Sequence, residues 1–98
     1  MSKIAQTQVD IATTCDDIKE LLLEKNRRYG DSALSPVRIF SRSDTLEQIR
    51  VRIDDKLSRL RNQQNDEDED VVNDLIGYLV LLKVAQKQQR RVEDFVIT

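Results

Sequence analysis

The segment from Val71 to Ala85 constrains the fold most, because it is apolar on almost every side of a helix. Ten apolar residues leave it little polar surface: Val71, Val72, Leu75, Ile76, Leu79, Val80, Leu81, Leu82, Val84 and Ala85. A helix of this kind must be buried on nearly all sides. Two further helices of similar length cannot cover it completely. We therefore expect a homo-oligomer, a dimer or larger, built on this helix.

The rest of the composition predicts an all-α protein. There are one Pro and two Gly among 98 residues, and aromatic residues make up 4%. This composition suits helices with few tight turns and argues against a sandwich or barrel. We expect a single domain, 1–98, in which three main helices and one short helical turn form a small bundle. Its core should span about residues 14–86, between a flexible N-terminal lead-in and a C-terminal tail.

Helical boundaries follow from capping residues and apolar spacing. The first helix is expected from about Thr14 to Arg28, with Thr13 or Thr14 as its cap and Gly30 as its stop. Its apolar stripe consists of Ile11, Cys15, Ile18 and Leu22.

A loop over 29–43 joins the first helix to the second and contains Ser35-Pro36, where a short helical turn is expected. A polar, acidic connector over 62–70 separates the second helix from the third. Asp44 and Glu47 have the spacing of a capping box, and the second helix should end near Asn62. The third helix is expected from about Glu67 to Gln89, followed by a weakly patterned tail.

Charge and residue usage exclude several functions. The net charge of −2 offers no general attraction for DNA or RNA. The first residues contain no apolar core of a secretory signal, and no stretch is long enough to span a membrane, so we expect a cytoplasmic protein. A single cysteine, Cys15, and no His make a structural zinc site improbable. Catalysis would have to use carboxylates, Lys, Tyr or a metal-bound water.

Two pairs of acidic residues are spaced by one helical turn. Glu20 and Glu24 share a face of the first helix, and Asp70 and Asp74 share a face of the third. Hard cations such as Mg²⁺ use carboxylates to bridge to phosphate oxygens. The alternatives are that Glu20 and Glu24 face solvent beside basic neighbours, and that Asp74 has a structural partner such as Lys56 or Arg59.

Cationic residues flank the apolar stripe of the second helix. Lys56 and Arg59 have the chemistry to hold phosphates. The alternative is a set of pairs within the helix, such as Asp55 with Arg59.

A polar cluster ends the first helix. Lys25, Asn26 and Tyr29 could stack on a base and contact phosphate, or they could belong to an ordinary helix end closed by Gly30.

Taken together, three ordered segments resemble the phage and bacterial nucleotide-modification-associated domain, which is similar to MazG-like all-α NTP pyrophosphohydrolases. The segments are Lys25-Asn26-x-x-Tyr29-Gly30-Asp31, Ile53-x-Asp55-Lys56-Leu57-x-Arg59-Leu60 and Asp70-x-x-x-Asp74-Leu75-Ile76-Gly77-Tyr78. The resemblance covers about residues 14–86.

The resemblance implies Mg²⁺ held by acids from two helices against a nucleoside triphosphate, which water cleaves to a monophosphate and pyrophosphate. Carried over to this sequence, the metal ligands are Glu20, Glu24, Asp70 and Asp74, and Glu24 is also the catalytic base. Lys56 and Arg59 would bind the phosphates. Lys25, Asn26 and Tyr29 would complete the ligand site.

Three hypotheses follow for the function. The first is a nucleotide-binding protein that acts as an Mg²⁺-dependent pyrophosphohydrolase in phage or bacterial nucleotide metabolism. The second is a phage anti-defence protein that sequesters a nucleotide or cyclic-nucleotide messenger without cleaving it. The third is a structural, oligomeric helical module. Glu20 and Glu24 are four apart where the enzymes have Glu-x-x-Glu, and Val71 stands where they have an acid, which favours the second hypothesis.

Overall fold

The computed structural model describes residues 2–35, 44–62 and 70–97. These residues contain no strand and form three helices, α1 (Lys3–Tyr29), α2 (Thr45–Arg61) and α3 (Val71–Ile97). The all-α class expected from the sequence is confirmed. No helix in the described ranges combines the length and apolarity needed to cross a bilayer.

The chain divides into two compact units, Met1–Gly30 and Asp31–Thr98. The first unit contains α1, and the second contains α2 and α3. The single-domain organisation predicted from the sequence stays a prediction.

Helix α1 begins much earlier than its sequence pattern indicates. Ser2 is its N-cap, and the Ser2 hydroxyl oxygen accepts a hydrogen bond from the Ala5 N–H at 3.1 Å. The predicted start at Thr14 and the predicted lead-in are therefore wrong. Thr13 is no cap, because its hydroxyl donates to the Val9 carbonyl inside the helix at 2.9 Å. A Ser cap is enough to start a helix where the apolar pattern is sparse.

The end of α1 agrees with the prediction. Gly30 follows the last helical residue and has φ 65° and ψ −158°. This backbone region is almost restricted to glycine, so Gly30 stops the helix as expected. A tight turn follows, in which the Asp31 carbonyl accepts from the N–H groups of Leu34 at 3.1 Å and Ser35 at 2.7 Å. The predicted helical turn at Ser35-Pro36 extends into residues outside the described ranges and stays a prediction.

Helix α2 is formed as the sequence predicts. The Asp44 carboxylate accepts from the Glu47 N–H at 2.7 Å, which confirms Asp44 as the N-cap. The helix ends at Arg61, and the Asn62 N–H still bonds to the Ser58 carbonyl at 3.0 Å. Helix α2 therefore has a clear local start and stop.

Helix α3 extends further toward the C-terminus than predicted. It begins at Val71 and continues to Ile97, beyond the predicted end at Gln89; the predicted start at Glu67 lies outside the described residues. The tail expected after Gln89 is thus helical. No Gly or Pro follows Gln89, so nothing in the local sequence breaks the helix there.

The buried apolar residues of the described ranges belong to α2 and α3. They are Ile49, Val71 and Ala85. The packing of α2 against α3 forms this small core. Part of α3 remains uncovered, since Val72, Leu79 and Val80 are exposed. The homo-oligomer expected from the sequence stays a prediction.

Candidate functional site

The most shielded ionic contact among the described residues joins α2 to α3. Lys56 Nζ lies 3.2 Å from Asp74 Oδ2, and the two side chains are only 12% and 23% exposed. The sequence left two possibilities for Asp74, a structural partner or a metal ion. In this structure its partner is Lys56. The pair satisfies a carboxylate inside the apolar run of α3, where a lone charge would be costly.

Arg59 lies one turn after Lys56 on α2 and is paired within its own helix. Its Nε atom lies 3.4 Å from Asp55 Oδ2, an i,i+4 contact that the sequence analysis left as an alternative to phosphate binding. Because the two side chains are substantially exposed, such a pair contributes about 0.3–0.5 kcal/mol. Arg59 is thus partly reachable from solvent, and its contact with Asp55 is weak.

Asp70 is the N-cap residue of α3. Its Oδ1 atom accepts a hydrogen bond from the Asn73 N–H at 2.9 Å. Sequence analysis missed this role, although an Asp directly before an apolar helical run is a signal for a cap. Asp70 and Asp74 are one turn apart as expected, but each carboxylate already has a structural contact.

The capping role of Asp70 can be separated from metal binding. We expect Asp70→Ala to lower the free energy of unfolding by about 1 kcal/mol, because the Asn73 N–H loses its acceptor. Asp70→Asn should stay within about 0.3 kcal/mol of the parent, since Asn caps helices as well as Asp does. Urea denaturation followed by circular dichroism measures both. If Asp70→Asn were as unstable as Asp70→Ala, the carboxylate charge and not the cap would be the important property.

The first acidic pair lies on α1. Glu20 and Glu24 are both exposed. The Glu24 Oε2 atom accepts hydrogen bonds from Arg27 Nε at 3.3 Å and Nη2 at 3.0 Å. This pair is largely open to solvent, so it stabilises α1 by less than about 1 kcal/mol. Arg27 therefore neutralises the carboxylate that the resemblance assigns as catalytic base.

The remaining predicted ligand contacts occupy the last two turns of α1. Lys25, Asn26 and Tyr29 are all exposed there. Arg27 and Arg28 in the same turn complement the negative end of the helix dipole, as expected for a helix C-terminus. Their positions are compatible with either alternative, an ordinary helix end or a ligand contact.

The predicted site residues are divided between the two units. Glu20, Glu24, Lys25, Asn26 and Tyr29 belong to the first unit, and Lys56, Arg59, Asp70 and Asp74 belong to the second. Within the described ranges, no three acidic or other metal-ligating side chains are grouped so that they could hold a metal ion. The carboxylates have suitable chemistry for Mg²⁺, but their contacts here are to Lys56, Asn73 and Arg27. The magnesium site and the shared cavity stay predictions.

Comparison of the chain with models of protein families, with curated proteins and with solved structures found no match.

Proposed function

We propose that this chain is a nucleotide-binding protein. The observation that supports the proposal best is the Lys56–Asp74 contact at 3.2 Å. Lys56 belongs to the second segment of the nucleotide-modification-associated pattern, and Asp74 belongs to the third. Two segments recognised separately in the sequence thus meet across the α2–α3 interface, as parts of one site would.

Phosphate binding would use the cationic face of α2. Lys56 and Arg59 are three residues apart and lie on neighbouring positions of that face. Arg59 is the more exposed of the two and can leave Asp55 at little cost, so it is the better first contact for a phosphate. Lys25, Asn26 and Tyr29 of α1 are the proposed contacts to the remainder of the ligand.

The resemblance implies that binding leads to hydrolysis. In that form of the proposal Glu20, Glu24, Asp70 and Asp74 hold Mg²⁺, and Glu24 accepts a proton from water. The metal would supply charge neutralisation and a lowered pKa for the attacking water. The product pair would be a nucleoside monophosphate and pyrophosphate.

A second candidate function is capture without cleavage. It is favoured by the contacts of the second acidic pair, because Asp74 is paired with an ammonium group and Asp70 caps α3. A metal ion would have to share both carboxylates with these contacts. Sequestration of a nucleotide or a cyclic-nucleotide messenger requires the cationic residues but not a complete metal site. Either role places the protein in the cytoplasm, which is the host cytoplasm if a phage encodes it.

We also propose that the functional form is a homo-oligomer. The proposal is supported by the exposed residues Val72, Leu79 and Val80, which lie on α3, the most apolar helix of the chain. Burial of such residues is the main favourable term in association. A purely structural, oligomeric module would use the same surface without any ligand.

One experiment separates these functions. The purified protein is incubated with nucleoside triphosphates and cyclic dinucleotides, with and without Mg²⁺, while products are followed by chromatography and binding by calorimetry. Pyrophosphate release that Glu24→Gln abolishes supports hydrolysis. Stoichiometric binding without product supports sequestration.

Variants of two arginines on α2 provide a matched control for this assay. Arg59→Ala should weaken nucleotide binding about tenfold, the loss expected for one charged contact to phosphate. Arg50→Ala removes a charge of the same kind, which in this structure pairs only loosely with Glu47 at 3.9 Å, and should leave binding unchanged. Equal weakening by both variants would indicate a general charge effect. No binding and no product with any nucleotide would overturn the proposal and leave the structural module.

A further inference from the structure

Because α1 begins at Lys3, a heptad repeat extends along one face of the whole helix, and we call this face the α1 seam. Eight positions alternate in steps of four and three residues along one face: Ile4, Gln8, Ile11, Cys15, Ile18, Leu22, Lys25 and Tyr29. This spacing is the pattern by which two helices pack side by side in a coiled coil. Ile4, Ile11, Cys15 and Tyr29 are exposed on it, and Ile18 and Leu22 are partly exposed.

The order of residues in the α1 seam is symmetric about its centre, which lies between Cys15 and Ile18. When the seam is aligned with a reversed copy of itself, every apolar position meets an apolar one and the two polar positions meet each other. The resulting layers are Ile4 with Tyr29, Gln8 with Lys25, Ile11 with Leu22, and Cys15 with Ile18, each occurring twice.

We propose that α1 pairs in antiparallel orientation with α1 of a second copy of this chain. A two-fold interface requires a surface that is complementary to itself, and the reversed seam has this property. Each half of the seam has one polar residue, Gln8 or Lys25, and these two residues lie at equal distances from the centre. Pairing with a reversed copy accounts for this placement, whereas pairing with an unrelated surface does not. The pairing requires no nucleotide, so it can be tested separately from the proposed function, with which it shares Lys25 and Tyr29.

Charge selects the antiparallel orientation over the parallel one. In a parallel pair Lys25 would face its own copy within the seam, where like charges repel. In the antiparallel pair Lys25 faces Gln8, whose amide oxygen can accept a hydrogen bond from the ammonium group. Ala5 and Ala12 flank the seam on one side and allow the two helices to approach closely. Lys25 and Tyr29 then lie in the interface, so a ligand that reaches them would meet both copies.

Cys15 allows a direct test, because it is the only cysteine of the chain. In the antiparallel pair it faces Ile18 of the second copy. The Cys15 residue of the second copy is displaced from this layer by three residues along the axis, about 4.5 Å. With helix axes about 8–10 Å apart and Cα atoms about 2.3 Å from each axis, facing core Cα atoms lie about 4–6 Å apart, within reach of a disulfide. The two Cys15 Cα atoms then lie about 6–7.5 Å apart, at the limit of about 7 Å that a disulfide tolerates.

The experiment compares two single-cysteine forms of the full chain, the parent and Cys15→Ser/Ile18→Cys. Each is oxidised alone and after the two have been unfolded and refolded together, and dimers are resolved on non-reducing gels. We expect disulfide-linked dimers to form faster and in higher yield in the mixture than in either form alone. Cys15→Ser/Asp17→Cys, mixed with the parent, is the matched control, because position 17 lies off the seam. Circular dichroism confirms that each variant is helical.

Two results would overturn the proposal. Linkage of the parent alone that is faster than linkage in the mixture would indicate parallel pairing. Absence of linkage in every mixture of helical variants would mean that something other than a second α1 covers the seam, such as the α2–α3 pair of the same chain. Nucleotide binding can persist in both cases, so failure here is distinct from failure of the proposed function.

Discussion

Replacing Ile49 by alanine should lower the free energy of unfolding by about 3 kcal/mol. Ile49 is the least exposed residue of the described core, with 2% of its surface accessible, and it lies two helical turns before Lys56, whose side chain contacts α3. Removing its outer carbons forfeits their burial and leaves a cavity that a small domain fills poorly. The total stability of such a domain is about 5–15 kcal/mol, so the loss is a large share. Urea denaturation followed at the helical circular dichroism band measures it.

Val51 provides the matched control, because it lies on the same helix and is 60% exposed. Val51→Ala should change the free energy of unfolding by less than about 0.5 kcal/mol. All variants must be compared at one protein concentration, since association with a second copy would add to the apparent stability. A similar loss for Ile49→Ala and Val51→Ala would show that the α2–α3 interface is not the core.

The second large effect is expected at the Lys56–Asp74 pair. Asp74→Leu should destabilise the protein by about 2 kcal/mol, because it removes the carboxylate that the Lys56 ammonium group contacts in a site where the Lys56 side chain is 12% exposed. The loss is smaller than that for a fully buried pair, since some solvent still reaches the site. Replacing both residues, as Lys56→Met/Asp74→Leu, should recover most of it, because both charges of the pair are then absent. Thermal and urea unfolding of the single and double variants measure the coupling.

Asp55→Ala is the control for this cycle. It removes an acid that also pairs with a cation of α2, but in an exposed contact within one helix. We expect a loss of about 0.3 kcal/mol. If the double variant were as unstable as Asp74→Leu alone, the carboxylate would stabilise the fold through contacts other than the one to Lys56.

Local signals made much of the fold predictable. Asp44 before a regular apolar repeat gave the start of α2, and Gly30 gave the end of α1. The start of α1 was missed because residues 3–13 contain few apolar side chains, while the signal that counts is the hydroxyl of Ser2. The extension of α3 to Ile97 was missed because the weak pattern after Gln89 was treated as a break, although no breaking residue is present.

The candidate site was less predictable, for a physical reason. Whether Asp74 meets Lys56, Arg59 or a metal ion depends on how two helices align, and spacing along one helix carries no information on that alignment. The contact of Arg59 with Asp55 lies within one helix, and sequence analysis did identify it as an alternative. The spacing of Asp70 and Asp74 predicts a pair of metal ligands, although Asp70 also precedes an apolar helical run, which is the position of an N-cap.

The shielding of the Lys56–Asp74 contact also determines how the fold responds to ionic strength. Dissolved ions screen charges on the surface within about 10 Å at 0.1 M salt, but they reach a shielded pair far less. The attraction in exposed contacts such as those of Arg27 and Arg59 should therefore weaken in concentrated salt, while the Lys56–Asp74 contact between α2 and α3 should weaken much less. At least one charged contact between these two helices is thus expected to hold in media where most surface electrostatics is screened.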